Sequence, residues 1–101
     1  MTEQELKQGV ALTLKTNYYT LQDNKPVVVP FIEDAIGVMV TLTIDQHPLT
    51  VLIPADSVEG DVTAFAIDNL SAQLTKYLDS LGYEDREFEI CNQNSLFLRM
   101  V

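Results

Sequence analysis

The sequence predicts an α+β domain: a two-layer sandwich in which an antiparallel sheet of about four to six strands carries one long helix packed across it, preceded by an N-terminal helix. Three patterns lead there. Residues 36–44 and 49–53 are apolar at every second position on either side of a short polar connector. Residues 61–81 place apolar side chains at helical spacing, and residues 86–100 alternate again around a polar turn. Period two marks strands and period 3.6 marks helices, so the expected order is α-β-β-β-α-β-β. A chain of 101 residues has room for one domain, taken as residues 1–101.

In chain order, Leu6, Val10 and Leu14 recur every fourth residue, which predicts a helix over residues 2–15. Thr2 is its expected N-cap, and Glu5 three residues later completes a capping-box pattern. Gly9 weakens such a helix by about 1 kcal/mol relative to alanine. β-type residues follow at 17–21, and Gln22-Asp23-Asn24-Lys25-Pro26 reads as a turn. Residues 27–32 form a β-branched and aromatic run interrupted by Pro30. Proline donates no ladder hydrogen bond, which sets that strand at a sheet edge or ends it there.

Ile36, Val38, Val40, Leu42 and Ile44 then alternate with Gly37, Met39, Thr41 and Thr43. With Leu49, Val51 and Ile53 beyond Asp45-Gln46-His47-Pro48, they read as an antiparallel hairpin. The long helix carries Ile67, Leu70, Leu74, Tyr77 and Leu81 as its stripe, widened by Val62, Phe65, Ala66 and Leu78. Asp56, Glu59 and Asp61 suit its amide end, and Gly82 suits its stop. Arg86, Phe88 and Ile90, then Leu96, Leu98 and Met100, form the closing hairpin around Asn92-Gln93-Asn94-Ser95.

Composition narrows function. Fifteen Asp and Glu against six Lys and Arg give a formal net charge of −9, while 47 % of the chain is apolar. That apolar content places it outside the disordered class. The six cations form no patch in sequence, so direct nucleic-acid binding and docking on an anionic membrane are not expected. No apolar run reaches the roughly 18 residues of a membrane span, and residues 1–9 lack a basic, then apolar, export signal. A cytoplasmic location is the expectation, and a single Cys91 agrees with it.

Chemistry-bearing residues are few. His47 reads as an exposed turn residue rather than a base or metal ligand. Cys91 falls on the face of Glu87 and Glu89, whose charge opposes a reactive thiolate. The stretch Asp56-Ser57-Val58-Glu59-Gly60-Asp61 lacks the alternating oxygen ligands and distal glutamate of a calcium loop. None of the four glycines belongs to a nucleotide-binding motif. No cofactor or metal is expected.

The reading is a small acidic protein-interaction module of chaperone, adaptor or inhibitor type, without catalysis. Met39, Leu52 and Phe97 are the expected apolar contacts, on a sheet face that one helix layer leaves uncovered. Glu84, Asp85, Glu87 and Glu89 are the expected charged contacts, an acidic strip for a basic protein. A homodimer or a stable hetero-complex follows from that reading. Two alternatives are an acidic mimic that blocks a nucleic-acid-binding protein and a small carboxylate-dependent enzyme. The element order is also used by some secretion-chaperone-like domains, a likeness of order that no residue motif accompanies.

Overall fold

The N-terminal helix stops after fewer than two turns. In the computed structural model, which describes the backbone of residues 1–57 and 62–101 and the side chains of residues 1–56 and 66–101, α1 covers Glu3–Gln8. Its start follows the expected chemistry. Thr2 is extended, its Oγ1 accepts the Glu5 N–H at 3.2 Å, and its hydroxyl donates to Glu5 Oε1 at 3.1 Å. Gly9 ends the helix at φ 113°, in the left-handed half of backbone space that glycine enters without strain.

The expected helix over residues 10–15 is therefore corrected: those residues open β1, Val10–Gln22. The cause is arithmetical. A spacing of four fits a helix turn, but it is also twice the strand period, and Leu12 supplies the missing inward residue at 6 % exposure.

The other strands are β2 (Lys25–Val29), β3 (Gly37–Ile44), β4 (His47–Pro54), β5 (Phe88–Asn92) and β6 (Leu96–Met100), with α2 over Val62–Ser80. The order is thus α-β-β-β-β-α-β-β, an α+β fold with six antiparallel strands. One strand more than expected comes from splitting residues 10–29 into a hairpin. Asp23 and Asn24 sit at φ 54° and 65°, and Asp45 and Gln46 at 47° and 66°, so both early hairpins close on two-residue turns of the type that matches strand twist. His47 accordingly lies in β4, not in a four-residue turn.

β1 organises the sheet, whose order is β4-β3-β1-β6-β5. It pairs with β3 over residues 12–19. On its other side, Val10 and Ala11 pair with β6 while residues 18–22 pair with β2. β2 and β6 therefore share one flank of β1 at opposite ends. The result is elongated, 45 × 29 × 20 Å, with a radius of gyration of 15.0 Å. A compact chain of this length has roughly 13 Å.

Register decides the layers. The rows Leu14–Leu42–Leu49, Thr16–Val40–Val51 and Tyr18–Val38–Ile53 face α2, as do Leu12 and Ile44. Ala66, Leu70, Leu74 and Leu78 of α2 close the core with Leu6, Leu98 and Met100, all buried. Val62 and Phe65 of the expected stripe have side chains outside the described residues, Glu59 and Asp61 lie wholly outside them, and Leu81 is exposed.

α2 ends as the sequence predicts. The Gly82 N–H donates to Asp79 O at 3.0 Å and the Tyr83 N–H to Leu78 O at 3.2 Å, with Gly82 at φ 97°. Nothing lies within 4 Å of where a Gly82 Cβ would stand. Gly82→Ala is therefore expected to cost only the left-handed strain, about 1 kcal/mol, read as a small drop in Tm with unchanged secondary structure.

Candidate interaction surfaces

His47 and Cys91, the residues best suited to bond chemistry, stand apart. His47 lies on β4 in the row of the inward Ile44, and its ring stacks on Tyr77 of α2 with centroids 4.0 Å apart and planes 7° from parallel. Cys91 lies on β5, paired with Phe97 on the opposite face. β4 and β5 are the two ends of the strand order, four spacings of about 4.8 Å apart. Among the described residues no three His, Cys, Asp or Glu side chains gather as a metal site, and no helix is long and apolar enough to cross a membrane.

The expected apolar contacts divide into two places. Met39 and Leu52 are cross-strand partners on the face away from α2, with Leu52 exposed. Phe97 occupies the row of Ala11 and Cys91 on that same face. Met39 pairs with Asn17, so six residues of β1, roughly 20 Å, separate the two. Thr13, Lys15, Thr41, Thr43 and Thr50 fill the space between, and the Thr41 and Thr50 hydroxyls lie 3.4 Å apart. This face is polar at its centre.

The acidic strip is partly neutralised. Glu84, Asp85 and Glu87 are exposed between α2 and β5. Glu89 Oε1 accepts from Arg99 Nε at 2.8 Å and from Nη2, and that hydrogen bond raises the Arg99 guanidinium above its ordinary value. Arg86 reaches back to Glu3 at 2.7 Å. Glu87 is left as the carboxylate beside β5 that no described cation engages.

A larger apolar surface lies elsewhere, and it includes Tyr18 and Phe31, aromatics that their strand setting alone would assign to the core. The β1–β2 hairpin and the segment after it expose Tyr18, Leu21, Val27, Val28, Phe31, Ile32 and Ile36, with Phe31 and Ile32 at 62 % and 63 %. Tyr18 and Val27 project on the α2 side, Leu21 and Val28 on the other, so the hairpin exposes apolar side chains on both faces. A shallow recess of about 390 Å³ between Thr16, Asn17, Tyr18, Val28, Val29 and Pro30 indents it. The available signal is the run Val27-Val28-Val29-Pro30-Phe31-Ile32, which contains no charged residue and is too apolar for a solvated edge.

The three sheet edges differ in chemistry. In an antiparallel ladder, alternate residues turn their N–H and C=O toward the partner strand and the rest turn them outward. The two-residue turns and register fix Pro26 and Val28 as outward on β2, with Pro30 next in phase. They fix Pro48, Thr50, Leu52 and Pro54 as outward on β4. Three of the chain's four prolines thus occupy outward positions on these two edges, where a donor would otherwise invite another strand, and Pro30 follows directly on β2. Gln73 Nε2 of α2 also donates to Thr50 O at 3.0 Å.

β5 has no such protection. Val101 N–H donates to Glu87 O at 2.9 Å, so in phase with it Phe88, Ile90 and Asn92 turn their backbone groups away from β6. Beside this edge an apolar groove of about 210 Å³ runs between Ile67, Leu74 and Thr75 of α2 and Phe88, Ile90 and Leu98 of the sheet. No protein-family model matches the chain, and neither a curated protein nor a solved structure matches it.

Proposed function

We propose that this protein is a non-enzymatic protein-interaction module. Its specific form is a homodimer joined through the apolar end of the β1–β2 hairpin, acting on other proteins as a chaperone, adaptor or inhibitor does. The observation that carries this reading is the crowding of Tyr18, Leu21, Val27, Val28, Phe31, Ile32 and Ile36, all exposed, at one end of an elongated sheet. Exposed apolar side chains gathered in this way cost free energy in water and favour contact with another chain. Asp23, Lys25, Glu33 and Asp34 rim it in sequence, the apolar-centre, polar-rim plan of an interface. A two-fold axis places the same patch on both sides, so apolar meets apolar without any further complementarity.

Light scattering across a concentration series tests it. The wild type is expected at twice the 11.3 kDa chain mass. The double variant Val28→Lys, Phe31→Asp is expected to be monomeric with circular dichroism unchanged, because both positions are exposed and surface changes usually shift stability by no more than about 0.5 kcal/mol. A wild type that stays monomeric at millimolar concentration contradicts the dimer.

A further inference from the structure

The β5 edge, at the other end of β1 from the apolar hairpin, carries a second and independent site. We infer that β5 accepts an extended segment of a partner protein as an added sheet strand, one whose apolar residues alternate with lysine or arginine. Backbone valence is the first ground. Phe88, Ile90 and Asn92 turn N–H and C=O groups outward along a strand that contains no proline, whereas β2 and β4 hold Pro26, Pro48 and Pro54 at outward positions. Strand addition supplies affinity through such main-chain bonds and specificity through alternate side chains.

The two faces of β5 then specify those side chains. On the α2 side, Phe88 and Ile90 line the groove of about 210 Å³, so incoming residues on that face are apolar and fill it. On the opposite face Glu89 is already engaged by Arg99, and Glu87, one step before the strand, is the exposed carboxylate that favours a cation directly across. The same carboxylate argues against a second copy as occupant. Pairing β5 with itself would set the Glu87 carboxylates of both chains on one face of the joined sheet, with no added cation to meet them.

The probe is a capped synthetic peptide of about nine residues alternating valine and lysine, long enough to cover a five-residue strand. It is compared with a block-arranged peptide of identical composition and with one carrying proline at its centre, by fluorescence anisotropy on the full chain. Saturable binding of the alternating peptide, at least about fivefold tighter than either control, is expected. Ile90→Pro removes one outward donor and leaves the β6 ladder intact, as prolines already do on β4, and is expected to abolish that preference. Glu87→Lys, at an exposed position outside the ladder, is expected to weaken binding roughly fivefold.

Equal binding of all three peptides overturns the proposal, since charge alone then explains it. So does Ile90→Pro converting a dimer to a monomer, which makes a second copy the occupant. The hairpin variant Val28→Lys, Phe31→Asp is expected to bind the alternating peptide normally, so this site and the hairpin interface succeed or fail separately.

Discussion

Gly37→Ala is expected to bring the protein close to unfolding. Gly37 opens β3 between β1 and β4, paired with Tyr19 on one side and Pro54 on the other. A Cβ there would overlap the Ile53 carbonyl oxygen and stand 2.9 Å from both Pro54 Cα and Tyr19 Cε1. Two of those neighbours are backbone held in the ladder, and Tyr19 is itself 3 % exposed, so relief requires moving β4 away from β3. Overpacking costs about 1–3 kcal/mol where side chains can yield and more where they cannot. With domain stabilities of about 5–15 kcal/mol, a loss above about 3 kcal/mol removes a large part of the total. Thermal unfolding is expected to show Tm lowered by roughly 12–24 °C. Gly82→Ala is the control: it shares the chemistry but has open space, and is expected to cost about a third as much.

Leu70→Ala is expected to lose about 3–5 kcal/mol. Leu70 is fully buried at the middle of α2, with Ala66, Leu74 and Leu78 on the same stripe and Val40, Leu42 and Ile53 in the core beneath. Truncation removes the transfer free energy of the buried methyl groups and leaves a void that helix and sheet close only in part. In urea, the midpoint should fall with little change in slope, since the surface exposed on unfolding stays almost the same. The exposed Leu52→Ala is expected within about 0.5 kcal/mol of wild type, which separates core packing from mere apolar content.

Much of this fold was legible in the sequence, for physical reasons that differ by element. α2 is nineteen residues with one apolar stripe, and no strand reading fits that spacing. The β3–β4 hairpin and β5–β6 alternate cleanly because one face of each meets the core. The start of β1 reads as helix because Leu6, Val10 and Leu14 satisfy both periods, and the deciding feature, Gly9 at φ 113°, is a backbone state that the residue name only permits. The turn at Asp23-Asn24 was seen, but not that it closes a hairpin tightly enough to make residues 18–22 part of a thirteen-residue strand.

The surfaces were harder. Met39, Leu52 and Phe97 share a sheet face, yet only register shows that polar rows separate Phe97 from the other two. Glu89 was read as a contact, and only the β5–β6 register places Arg99 across from it. Pro30 announced an edge by itself. That Pro26, Pro48 and Pro54 are all outward depends on the parity of each ladder, which the two hairpin turns set.

In the proposed homodimer, the two copies meet through the apolar end of the β1–β2 hairpin. Amide hydrogen exchange, compared at micromolar and millimolar concentrations, tests it most directly. Protection that grows with concentration is expected in residues 18–36 and nowhere along β4 or α2. Exchange that does not change with concentration, or added protection confined to β3–β4, would contradict it.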